Sequence, residues 1–196
     1  IKKEFAGFHK TVSQAQTSYL ILTVGEDLLK LRQEIAKIAA YCADKQEVAL
    51  SDIKAVVNQT VEANVFALID AIGAGDLETA LTLANLILER QEKIDSVVNL
   101  IEQQLRLVSL FLIYKAEGIT QTEELAKKLS ISRGRLFYLK KQAQKFSFSR
   151  LKKAASTLLT YDYKRKTQAI DEKVFFEQLI VDLTALLSDR KPVARS

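Results

Sequence analysis

Apolar residues recur along this chain at every third or fourth position, and no stretch alternates apolar with polar over the length of a strand. The longest such pattern covers 94–118. Ile94, Val97, Val98, Ile101, Leu105, Val108 and Leu112 share one helical face. From Leu107 onward the segment is apolar almost all round (Leu107, Val108, Leu110, Phe111, Leu112, Ile113, Tyr114), broken by Ser109. A helix apolar on every side is wrapped by other helices or lies in lipid. Glu102, Gln103, Gln104 and Arg106 interrupt the run well before the ~20 apolar residues a membrane span needs. The pattern therefore predicts the central helix of a bundle, stopped at Gly118 and sheathed by shorter helices.

Those shorter helices are predicted in order. One covers 5–24 and ends at Gly25. The next starts at Glu26-Asp27, with Leu28, Leu31, Ile35, Ile38 and Tyr41 as its stripe. Asp44-Lys45-Gln46 is a turn, and Ser51 caps a short helix that faces Ile53, Val56 and Val57 inward. Residues 58–63 are a linker, where a small first domain (1–60) ends and a second (61–196) begins. Val65, Phe66, Leu68, Ile69 and Ile72 mark the next helix, and Asp76 caps the one after it. Beyond the central helix come 120–129, the turn Ser130-Ile131-Ser132, 133–146, a helix over 151–163 capped by Ser149, a charged connection at 164–170, and a final helix capped by Asp171. The tail from Ser188 is polar and frayed. Six glycines and one proline in 196 residues leave few breaks, so the fold class is all-α.

Composition removes several kinds of chemistry. One cysteine, Cys42, permits no internal disulfide and reads as a buried inert thiol in a reducing compartment. With His9 as the single histidine, a zinc site or a His-dependent triad has no material. No phosphate-binding glycine loop is present, and Glu89, Glu92 and Asp95 sit among Arg90 and Lys93 as a solvated helix face. We expect no catalytic residues, no metal and no cofactor. No signal peptide or spanning segment is read, so the expected setting is the cytoplasm, with no membrane partner. The chain starts at Ile1 and has no methionine, which we read as a fragment lacking an N-terminal part.

Charge is uneven. Residues 61–132 carry net −5 and residues 133–196 net +9, with eleven Lys/Arg against the single acid Asp162 within 133–166. Such local excess fits a polyanionic partner. Residues 120–142 resemble a DNA-binding helix-turn-helix, in which Arg133, Arg135 and Lys140 would face the groove. Phosphate contact without base reading, by Ser132, Arg133, Arg135, Lys140, Lys141 and Lys145, is the more economical account, and a merely solvated basic face is the third. Gln103, Gln104 and Arg106 are polar positions in an apolar helix. They either bond to neighbouring helix ends or anchor a partner subunit.

Taken together, these motifs resemble the C-terminal half of the bacterial DNA polymerase III delta subunit, a clamp-loader component. The matching pieces, in order, are Gly25-Glu26-Asp27-Leu28, with Leu31 and Glu34-Ile35-Ala36-Lys37-Ile38; Val65 to Ile72 with Gly75-Asp76 and Ala80-Leu81; Gln104-Leu105-Arg106-Leu107; Glu124-Leu125-Ala126 with Leu129-Ser130-Ile131; Gln142-Ala143 and Phe146-Ser147; then Leu151, Leu158, Asp162, Lys164 and Leu179-Ile180. Order and spacing across nearly the whole chain carry the resemblance. It implies a small helical AAA+-type lid over 1–60 and a helical collar over 61–196 that holds loader subunits in a ring. It also implies membership of the DNA-directed DNA polymerase (nucleotidyltransferase) holoenzyme without catalysis by this chain. Its implied partners are the other loader subunits, primed DNA, and the sliding clamp through the absent N-terminal domain. The alternative reading is a helix-turn-helix regulator using 120–142.

Overall fold

The computed structural model describes residues 1–57, 60–90, 92–169 and 171–188. Among these residues the chain forms eleven helices and no strand beyond one isolated bridge between Thr11 and Glu47. They are α1 (Lys2–Gly7), α2 (Gln14–Val24), α3 (Leu28–Tyr41), α4 (Leu50–Val56), α5 (Val61–Ala74), α6 (Leu77–Glu89), α7 (Ile94–Ala116), α8 (Thr122–Leu129), α9 (Arg133–Ala143), α10 (Phe148–Thr167) and α11 (Glu172–Leu187). The all-α expectation holds.

Caps account for most of the boundaries. Asp76 accepts from Thr79 N at 3.1 Å and opens α6, and Asp171 accepts from Val174 N at 3.0 Å and opens α11, both as expected. Four expectations shift. Ala49, not Ser51, precedes the short helix α4, and its N–H donates to Asp52 at 2.9 Å. The helix read over 5–24 is broken into α1 and α2, because His9 takes φ 56° and Ser13 then starts α2 with a capping box closed by Gln16. Ser147 rather than Ser149 caps α10, which runs on through the expected charged connection to Thr167. Thr60 accepts from Ala63 N at 3.3 Å and starts α5 inside the expected linker; Asn58 and Gln59 lie outside the described residues, as does the tail beyond Ser188.

Two apolar clusters form. The smaller draws Phe5, Leu20, Leu31, Ile35, Ile38, Val48 and Ile53 from α1 to α4. The α3 stripe is shorter than the pattern implies: Leu28 and Tyr41 at its ends are 78 % and 59 % exposed, and Cys42 takes the inward place beyond Ile38. Burial raises the Cys42 thiol pKa, and the Asp52 charge adds to it. Lys10 reaches into this bundle, donating to the carbonyls of Cys42 (3.0 Å), Ala43 (2.8 Å) and Lys45 (2.7 Å) at the end of α3. The ammonium satisfies the Ala43 and Lys45 carbonyls, adds a second donor to Cys42 O, which also accepts from Lys45 N at 2.6 Å, and complements the helix dipole.

The larger cluster is built on α7, as the periodicity predicts. Val97, Val98, Ile101, Leu105, Val108 and Phe111 are buried against α5, α8, α9, α10 and α11. The sheath, however, is incomplete. Leu107, Leu110, Leu112, Ile113 and Tyr114 are only half-buried. By length and composition α7 could cross a membrane, but here its buried face is the core of a helical bundle.

Candidate subunit and nucleic-acid interfaces

The 120–142 segment folds locally as read. Helix α8 ends at Ser130, held left-handed at φ 53°, and Ile131 N closes back on Ala126 O at 3.0 Å. Ser132 then caps α9 through Arg135 N at 3.2 Å. What the local pattern cannot show is the surroundings of α9. Helix α2 lies across it. A Cβ on Gly134 would stand 2.8 Å from Ile21 Cδ1, so the glycine admits the neighbouring helix. Tyr138 donates its hydroxyl to Ala15 O at 3.2 Å, and its ring meets Tyr19 and Phe66 edge-on at 6.5 and 6.3 Å. The helix-turn-helix reading is therefore corrected: the would-be recognition helix is clamped under α2 and buries Gly134, Leu136, Leu139, Gln142 and Ala143.

The candidate cations do not face one way. Arg133 is largely exposed and pairs with Glu123 at 3.3 Å. Arg135 turns inward and donates from Nη2 to Gln104 Oε1 at 3.3 Å. Lys140 is drawn back onto Thr122 Oγ1 at 3.1 Å. Lys145 bonds Asp70 at 2.7 Å, tying α9's end to α5. Lys141 is exposed and lies 4.6 Å from the centre of the Phe137 ring. Arg133, Phe137 and Lys141 are the exposed positions of α9 and, with Gln144 at its C-cap, make one narrow stripe.

The basic run on α10 is likewise partly neutralised. Arg165 sits among Asp95, Asp162 and Glu172, and Lys166 pairs with Asp162 at 2.7 Å. Lys152, Lys153 and Lys164 are exposed with no acidic partner among the described residues. Beneath Arg165, Tyr161 stacks on Phe175 with centroids 4.4 Å apart, and burial pushes its phenol up to about 12.

The polar trio on α7 is split. Gln104 is only 4 % exposed; its Nε2 donates to Gln142 Oε1 at 2.8 Å, and Gln142 Nε2 donates to Phe66 O at 3.1 Å. As an interface residue Gln104 is corrected: it shares the inward face with Ile101 and Leu105, and its amide is spent on a chain of bonds joining α5, α7 and α9. Gln103 and Arg106 stay exposed. They continue along one helical face into the half-buried Leu110 and Ile113. That uncovered flank was hidden from sequence reasoning, because periodicity gives the apolar positions of α7 but not which of them its neighbours reach.

The family model for the DNA polymerase III delta subunit, C-terminal domain, matches residues 62–183. A curated relative, the DNA polymerase III subunit delta of Bacillus subtilis (strain 168), is 28 % identical over 174 residues, covering 89 % of this chain and 50 % of the relative. Among solved structures, the Bacillus subtilis DNA clamp loader delta protein superposes with a TM-score of 0.75 at 26 % identity, over 93 % of this chain and 54 % of that one. The chain thus spans about half the length of the relatives it matches.

Proposed function

This chain belongs to the DNA polymerase III delta subunit family through that family's C-terminal domain, and from that premise we propose that it is the assembly portion of a clamp-loader subunit in the bacterial cytoplasm. Residues 1–60 act as the helical lid and 61–196 as the collar. Two separate apolar cores, one within 1–57 and one within 61–187, support that division. The chain does no chemistry itself. It holds the other loader subunits in a ring, and the clamp is engaged through a further domain.

The observation that carries the assembly role is the incompletely covered face of α7. Gln103 and Arg106 lead into Leu110 and Ile113 on one line, an arginine beside apolar surface, as protein interfaces favour. The test is reconstitution of the loader with a full-length subunit carrying Arg106→Glu and Leu110→Asp. The double variant is expected to fold and to fail to co-elute with the other subunits. Normal co-elution overturns the assignment.

For DNA, the outward stripe of α9, not its buried side, is the candidate. Arg133 and Lys141 contact primed DNA through phosphate, with Ser132 at the helix start beside them, while Arg135, Lys140 and Lys145 serve the fold. In an assembled complex, Arg133→Ala with Lys141→Ala should weaken primer–template binding and flatten its salt dependence by about two units of log–log slope. An unchanged slope removes this contact.

A further inference from the structure

Under the C-terminal end of α7 lies a pocket of about 470 Å³ that neither role above employs. Its floor is apolar: Phe111 and Leu112 of α7, Leu125 of α8, and Ile119 and Phe146 from the adjoining turns. Its rim carries two cations on different helices, Lys115 of α7 and Lys140 of α9. The Thr122 hydroxyl fixes the Lys140 ammonium, and Lys115 is exposed without an acidic partner among the described residues. Three of the last four carbonyls of α7 already have donors: Ile113, Tyr114 and Lys115 accept from the N–H groups of Glu117, Ile119 and Gly118.

This combination selects its occupant. An apolar floor alone takes any greasy group, and two lysines alone take any polyanion. An apolar floor under two separate ammonium groups takes a bulky apolar side chain with carboxylates beside it, and the volume lies within the range of ligand pockets. We propose that this pocket binds a short acidic segment of a partner protein, which seats one phenylalanine- or leucine-sized side chain on Phe111, Leu112 and Phe146 and lays its carboxylates against Lys115 and Lys140. Nucleic acid would satisfy the lysines and leave the floor empty.

The experiment uses this chain and a fluorescein-labelled hexapeptide of four aspartates followed by isoleucine and phenylalanine, read by anisotropy. The peptide is expected to bind saturably. Replacing its last two residues by serine should weaken binding more than about tenfold, the loss expected when a large apolar side chain stays in water. Replacing its aspartates by serine should also weaken it, as should Lys115→Glu, an exposed change that leaves the core intact; raising salt to about 0.5 M should act in the same direction. Equal binding by the peptide without the apolar pair overturns the proposal in favour of a polyanion patch. Equal binding by the peptide without aspartates reduces the site to unselective apolar adhesion. Association of the chain with itself that the peptide displaces assigns the pocket to a second copy instead. None of these results depends on loader assembly or on primer–template binding, so each stands apart from those tests.

Discussion

The two bundles of this chain are stabilised differently. The larger one closes around a long apolar helix, and its core from Val65 to Leu187 is continuous. The smaller one has few apolar residues to bury and is tied by polar strings: Lys10 to three carbonyls, and Lys45 to Asp52 at 2.9 Å. A core that small gains too little from burial alone, so specific hydrogen bonds supply a larger share of its stability. One consequence is that a single apolar truncation should injure the large bundle most, and a single polar one the small bundle.

Ile101→Ala separates the two most sharply. Ile101 is fully buried at the middle of α7, and its truncation should cost about 3–4 kcal/mol. Amide exchange should accelerate throughout 61–187 while α3 and α4 keep their protection; acceleration in both bundles alike would mean that they unfold as one. Lys10→Met is the reciprocal change. It keeps the stem and removes the ammonium from three carbonyls, of which Cys42 O retains the Lys45 N–H, at a cost of about 1–3 kcal/mol, with exchange accelerating in 1–57 alone. Unchanged protection there would show that the strap adds nothing.

Gly134 sharpens the comparison at the seam. Alanine there displaces only the flexible tip of Ile21, so its effect should be small. Leucine has nowhere to go under α2 and should cost about 2 kcal/mol, read as faster exchange in α2 with α7 unaffected. The smallest expected effects are those of pH. Hydrogen bonds from Lys45 and from the Ala49 N–H hold the Asp52 carboxyl below its usual range. Its contribution is therefore present above the ordinary aspartate value, about 3.9, and is lost as pH falls through the depressed one. Asp52→Asn should remove that acid limb of a stability–pH profile. At the other end, the raised Tyr161 phenol makes folding stability fall as pH climbs from about 10 toward 12, and Tyr161→Phe should abolish the last phase of an ultraviolet phenol titration.

How much of this was legible in the residues follows the same division. The α7 stripe, the Asp76 and Asp171 caps and the Ser130–Ser132 turn are local signals, and local signals survive folding. Leu28 and Tyr41 fit a helical stripe yet point to solvent, because a stripe shows which residues share a side and not how far the neighbours extend. Lys10 carries no local signal, and its role depends on carbonyls more than thirty residues away. The basic run looked uniform in sequence. Its pairing with Asp70, Asp95 and Glu123, all from the acidic middle of the chain, is tertiary, and it decides which cations remain available.

The Gln104–Gln142 bridge has a mechanical corollary. Helices that meet only through oil can creep past one another by fractions of a turn, since one methyl is much like the next. An amide pair sunk between them, with Phe66 O as its third point, tolerates no such drift: a slip in either direction would maroon its hydrogen-bonding atoms in a medium that cannot solvate them. Like a key in a shaft, this bridge fixes the register of α5, α7 and α9 against one another at a single buried point.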